Sequence, residues 1–499
     1  MDVETPVLIG AGQILQKNAA PAEADDPIAL CARAARAAAE DARGGHALLE
    51  AVDTLAVVNI LCWDFGDAPR LLAEVLGIHP ATRIYTSIGG NTPQALVNRM
   101  ADRIAAGQAD VVLLAGAEAF FTGRAAHRSG TDLGWPKLRK STSELFGDTR
   151  LGVSDLESRH GLSRPTEIYP LFENALRAHL GRGIDEHRLE LGRLYAPFTR
   201  IAAENPFAWF PKVRTAEEIA TPSAENRYVG FPYTKLMNAI MMVDQSAALI
   251  MTSASTARHL GVPESRWVYP IGGAETYDHW FVSERPELYD SPAIRAAVDA
   301  ALHMAGTEQE AVGPLDLYSC FPCAVQIARA AGGLERKEAP PTLTGGLAYF
   351  GGAGNNYAMH AIAEAMARVR ADRDAIAMAT AVGWFMTKHA VGVYSGRFTG
   401  HGWVDRRPQI VQSRVDRRPR AEVVPEAEGR GRIESYCVMH DRGAQPVSVS
   451  VIGRLEDECR FLATAPVEPA TLAALMDEEG VGKMGRVRCK DGINHFTLA

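Results

Sequence analysis

The 499-residue sequence predicts a mixed α/β chain: a duplicated, five-layered α/β/α/β/α body with an inserted loop domain, then a small all-β antiparallel barrel at the C-terminus. Three observations carry this. The order strand, glycine turn, capped helix, strand occurs twice. The later strand of each copy is a nearly continuous apolar run, as expected for a sheet covered on both faces. After about residue 400, helical periodicity gives way to short strands divided by Gly, Pro and Asp turns.

The first copy opens with the strand "TPVLIGAGQ", and a helix follows over Asp26 to Ala42, with Asp26 placed to cap and Pro27 at the first position. "AVDTLAVVN" is the next strand. The second copy opens with "WVYPIGGAE", continues with a helix from Ser291 to Gly306, again cap then proline, and reaches the strand "GPLDLYSCF". "TPQALVNRMADRIAAGQADVVLLAGAEA" reads as a Thr92-capped helix closing near Gly107, then a strand; its counterpart is "NNYAMHAIAEAMARVRADRDAIAMATAVG". Both helices show apolar spacing of three and four residues. These limits divide the chain into residues 1–262, with an insertion over about 121–230, residues 263–400, and residues 401–499. An insertion of that length is expected to act as a lid. In the last segment "DRRP" occurs twice, at Asp405 and Asp416, flanking text read as β-rich.

Composition narrows the function classes. The formal charge of −8 gives no reason to expect nucleic acid or an anionic membrane surface. The opening "MDVETPVLIGAGQ" lacks the basic stretch and apolar core of a signal peptide, and no apolar run is long enough to span a bilayer. With seven cysteines, sparse and odd in number, the expectation is a cytoplasmic chain with reduced thiols. No Cys/His cluster has zinc spacing, so no metal is expected.

The runs "QALVNRMADRIAAGQADVVLLAGAE" and "LMNAIMMVDQSAALIMTSASTARHLG", the "DLYSCF" strand end and "GGLAYFGGAGNN" together resemble the thiolase superfamily over about residues 5 to 400. More specifically, they resemble the sterol-carrier-protein-2-type branch and its thiolase-like type 1 group, which carries an added C-terminal β domain. The resemblance implies the thiolase fold and, as ligand, a coenzyme A thioester or acyl-carrier thioester; no other cofactor is firmly implied. It also implies a dimer by superfamily habit, with a monomer left open by the divergence of this branch.

Thiolase chemistry uses a cysteine thiolate, a histidine that activates it, a second cysteine and an oxyanion hole. By the resemblance, the nucleophile falls on Gly89 and the Gly-His-Pro histidine on Gly352. The asparagine of the third motif falls near Tyr318 or Ser319. The second cysteine belongs around Ala381 to Met386, where the sequence has none between Cys323 and Cys437. Ordinary thiolase activity is therefore not expected.

What remains is the turn "SIGGNTP", where Gly89, Gly90 and Asn91 present backbone N–H groups at a helix entrance suited to an anion or carbonyl oxygen, or simply a tight turn. Gly352 and Asn355 are grouped with it as substrate-binding candidates; Asn355 and Asn356 serve equally as helix caps. His360 reads as packed, and the aromatics of "NPFAWFP" as tunnel lining or lid core. As catalytic residues the sequence offers Cys320 and His389, both in segments that line the family's catalytic cavity; Cys323 reads as core, and Lys388 and His389 as turn residues. Two readings follow: an acyl-thioester binder or accessory scaffold acting through the β domain, or a repurposed acyltransferase or thioester hydrolase using Cys320 and His389.

Overall fold

The computed structural model describes residues 4–138, 140–335, 339–400, 402–404 and 406–499. The first sheet contains β1 (Pro6–Leu15), β2 (Thr54–Val57), β3 (Thr82–Thr86), β4 (Val111–Ala119), β5 (Glu144–Phe146) and β6 (Asp244–Ser253), in the order β1-β6-β4-β2-β3-β5. The second contains β7 (Tyr269–Tyr277), β8 (Val312–Asp316), β9 (Ile376–Gly383) and β10 (Lys388–Ser395), in the order β7-β10-β9-β8. In each sheet two antiparallel pairings are followed by a parallel one. The duplication read from the sequence is thus a duplication of topology.

The two sheets sandwich the central helices Thr92–Ala105 and Tyr357–Ala371, while Pro27–Asp41 and Pro292–Ala305 cover the outer faces. This is the five-layered body. Asp26 and Ser291 cap the outer helices through their side chains, as expected. The glycines of the two opening strands lie within the strands rather than in turns after them. A Cβ on Gly10 would stand 2.1 Å from the Ala38 carbonyl oxygen, and one on Gly272 2.1 Å from that of Ala301. Glycine there lets each outer helix approach its sheet.

The two halves differ in one connection. Residues 384–387 join β9 to β10 directly, whereas residues 120–243 join β4 to β6 and build the insertion. The insertion is mainly helical, and its Glu144–Phe146 segment pairs in parallel with β3, covering the edge of the first sheet. Trp209 packs on Phe121, and its backbone N–H donates to the Phe350 carbonyl, so of the "NPFAWFP" aromatics Trp209 is buried core, whereas Phe207 is half-buried and Phe210 exposed.

Text after residue 400 departs from the β-rich expectation first. Pro408–Asp416 is a helix packed on Pro292–Ala305 through Val411 and Val415, whose spacing of four lies on one helical face. Asp405 lies outside the described residues. The barrel then forms from β11 (Gly429–His440), β12 (Pro446–Leu455), β13 (Arg460–Ala465), β14 (Met484–Lys490) and β15 (Ile493–Leu498), closed in the order β11-β12-β13-β15-β14. The helix Pro469–Met476, which strand-counting missed, links β13 to β14. The barrel is docked firmly: Ser435 donates to the Leu171 carbonyl, Asn174 to that of Tyr436, and buried Arg177 pairs with Glu479. No helix among the described residues is long and apolar enough to cross a membrane.

Candidate functional site

The site is organised around the Ser87–Asn91 turn. Asn91, not Thr92, occupies the N-cap position, and its side chain makes no capping bond. Thr92 lies inside the helix, and its hydroxyl donates back to the Gly89 carbonyl at 2.8 Å. The Gly89 N–H donates to Asn355 Oδ1 at 2.9 Å, while Asn355 Nδ2 donates to the Asn59 carbonyl at 2.9 Å. Asn356 donates to the Gly116 carbonyl. Neither asparagine therefore caps its own helix; both side chains cross to the first half.

No side chain has room at the turn without displacing something. A Cβ on Gly89 would lie 2.4 Å from Asn91 Oδ1 and 2.8 Å from Lys388 Nζ. A Cβ on Gly90 would lie 2.2 Å from the Tyr318 hydroxyl and 2.6 Å from the Val382 carbonyl oxygen. Gly352 differs: its nearest neighbour would be 3.4 Å away, and its N–H is bound to the Ile240 carbonyl.

Lys388 is the residue sequence reasoning passed over. Lys388 and His389 open β10 rather than occupying the turn, so their side chains point to opposite faces. Lys388 faces the central layer, and its Nζ donates to the Ile88 carbonyl at 2.6 Å. Burial pulls its ammonium down to about 8, against the opposing attraction of Asp148. His389 faces the outer layer, where Nε2 lies 2.9 Å from the Met386 carbonyl and 3.3 Å from the Ser291 hydroxyl. Burial, reinforced by Arg285, drives its pKa down to about 3. It is neutral at pH 7, with its N–H committed to a backbone oxygen.

No hydrogen bond joins the candidate pair Cys320 and His389. Cys320 lies before the Pro322–Ala331 helix, its carbonyl accepting from the Ala239 N–H and its thiol meeting the Tyr169 side chain. Burial pushes the thiol up to about 12, the reverse of an activated nucleophile. None of its hydrogen bonds is shared with His389. Cys323 is core within the helix, as read, and His360 is packed with Nδ1 on Gln13 Oε1.

One loop links the turn to a buried acid, Glu118. From Asn59, which holds Asn355, the chain passes to Leu61 and Cys62, whose N–H groups donate to Glu118 at 2.8 and 2.9 Å. Burial raises the Glu118 carboxyl to about 7, even though these bonds favour its charged form. A charged residue inside the apolar run "VVLLAGAEA" was the visible signal for it. Among the described residues no group of acids, histidines and cysteines is arranged to hold a metal ion.

Comparison with known proteins agrees with this architecture. Residues 410–492 match the family model for the additional C-terminal domain of thiolase-like protein type 1. No curated protein sequence matches. A crystal structure of a monomeric SCP2-thiolase-like protein type 1 from Mycobacterium smegmatis is 34% identical, with 100% of each chain covered and a TM-score of 0.86. An Ltp2-ChsH2(DUF35) aldolase is 19% identical over 79% of this chain and 98% of its own, with a TM-score of 0.61. The dimeric peroxisomal thiolase of Saccharomyces cerevisiae is 14% identical over 79% of this chain and 98% of its own, with a TM-score of 0.57. The last two share the fold of the body.

Proposed function

The chain belongs to the SCP2-thiolase-like proteins of type 1, and from that premise we propose that it binds an acyl thioester, on coenzyme A or a carrier protein, without ordinary thiolase activity. The observation that carries the reading is the state of the turn at Gly89, where the resemblance places the nucleophile. Gly89 has no side chain, and the space a side chain would enter is taken by the Lys388 amine and Asn91. Acyl transfer through a thiolate needs a sulfur there and a base beside it; the nearest cation instead serves a backbone carbonyl. What the turn retains is the helix entrance, with the buried Ser87 hydroxyl and Asn91 Oδ1 lacking partners among the described residues. Polar groups so placed suit a carbonyl oxygen and amide of a thioester ligand.

The chain also reads as a monomer. Superfamily pairing through the edge of the first sheet needs a free strand there, and Glu144–Phe146 covers that edge. The acyl-transfer alternative through Cys320 and His389 draws no support from two buried neutral groups that share no hydrogen bond.

The test combines calorimetric titration with acetyl-CoA, intact-mass analysis and a thiolysis assay. Saturable binding, no added acyl mass and no thiolysis are expected. An acyl adduct that disappears in Cys320→Ala would restore the enzymatic reading, and the absence of binding to coenzyme A or any acyl thioester would remove the ligand.

A further inference from the structure

A cavity of about 450 Å³ lies at the junction of the body, the insertion and the barrel. Its walls are apolar and aromatic. Trp63 and Trp135 stand edge to face with ring centres 5.5 Å apart, and Leu133 and Met242 line the same space. Trp63 is oriented by its indole N–H, which donates to the Pro136 carbonyl. Cys62 belongs to the lining too, its N–H held by Glu118 and its sulfur accepting from the Ala119 N–H.

Two arginines line this otherwise apolar space. Arg124 comes from the Phe120–Ser129 helix, whose first N–H groups are anchored on Asp244. Arg442 comes from the tip of the β11–β12 hairpin, so the barrel supplies part of the cavity. The hairpin is seated on the insertion by hydrogen bonds from His440 to Val229 and from Phe231 to Val438. Both arginines are solvent-exposed at the mouth of this space, and neither guanidinium makes an ion pair or hydrogen bond with a described residue. A pocket of this size with aromatic walls and two cationic groups in its lining has the character of a small-molecule site. Guanidinium groups select planar oxyanions.

We propose that this cavity binds an anionic amphiphile, with a medium-length acyl chain or flat ring system against Trp63 and Trp135 and a carboxylate or phosphate held by Arg124 and Arg442. The barrel is then a working part of the ligand site through Arg442. This inference stands apart from the thioester reading, because the oxyanion can come from a free acid or from the phosphates of coenzyme A.

The experiment titrates the intact protein with octanoate and, separately, with octanoyl-CoA, following tryptophan fluorescence and calorimetric heat. Arg442→Ala and Arg124→Ala are each expected to weaken binding of at least one probe by about 10-fold or more, as loss of a charge-assisted hydrogen bond does. Arg486→Ala, on an exposed barrel strand, controls for net charge and should bind as the parent. Trp63→Phe should reduce the fluorescence change. Octanoate binding that depends on both arginines identifies a free-acid site; dependence seen only with octanoyl-CoA identifies the phosphate. If neither probe saturates, or if both arginine variants bind like the parent, the proposal fails. Arginine-independent binding of octanoyl-CoA, without any arginine-dependent binding of octanoate, would overturn it while leaving the thioester reading intact.

Discussion

The turns that open the two central helices, Ser87–Asn91 in the first half and Gly351–Asn356 in the second, hold equivalent places in the duplicated plan but have become socket and plug. The first is nearly bare and is filled from outside: Asn355, Lys388 and Tyr318 all reach it from the second half. The second sends its side chains out, Asn355 to Asn59 and Asn356 to Gly116. Duplication supplied one backbone twice. Different side chains at the two turns make the first one part of the seam between the halves.

The sharpest way to break this comparison is one added methyl at each turn. Gly90→Ala meets the Tyr318 hydroxyl and the Val382 backbone and should cost about 3 kcal/mol in chemical denaturation, the upper range for overpacking. Gly352→Ala meets only ordinary contacts and should stay within about 1 kcal/mol of the parent. Equal costs at the two positions would erase the socket–plug distinction. Next in size, Asn355→Ala strands the Gly89 N–H and the Asn59 carbonyl and should cost about 2 kcal/mol. A cost near zero would mean the plug holds nothing.

Two smaller effects sharpen the electrostatics. The folded pKa of Lys388 is depressed to about 8 from 10.5, so its contribution to stability is present above the unfolded value and is lost as pH falls through the folded one. Thermal melts between pH 8 and 10.5 should show a smaller pH dependence in Lys388→Met than in the parent. Glu118 is shifted the other way, to about 7 from 4.5. Its contribution is present below pH 4.5 and is lost as pH rises to about 7, so Glu118→Gln should flatten that limb. Buried His360 and His389, both lowered to about 3 from 6.5, oppose it: their contribution is lost as pH falls, so each comparison is made against the parent at the same pH. Unchanged slopes in either variant would remove that group from the ledger.

Legibility followed distance along the chain. The Asp26 and Ser291 caps, the apolar spacing of the central helices and the barrel strands were readable because each depends on residues a few positions apart. The helix at Pro408–Asp416 was missed because its buried face, Val411 and Val415, makes sense only against Ala293 and Ala296 of another helix. His389 was preferred to Lys388 because the sequence placed both in a turn; once both belong to a strand, alternation sends only Lys388 to the site. The role of Asn355 was hidden for the same kind of reason: a helix entrance suggests a cap, while its actual partner is 266 residues away.

By itself, then, the sequence determined the duplicated plan, the barrel and the family the chain resembles, because periodicity and turn chemistry are local properties. Only the tertiary structure decided what fills the space over Gly89, that Cys320 and His389 share no hydrogen bond, and that Arg442 of the barrel lines a cavity with Trp63 and Trp135. Those outcomes depend on which strand faces and loop tips are brought together across hundreds of residues, and on the burial that sets their charge.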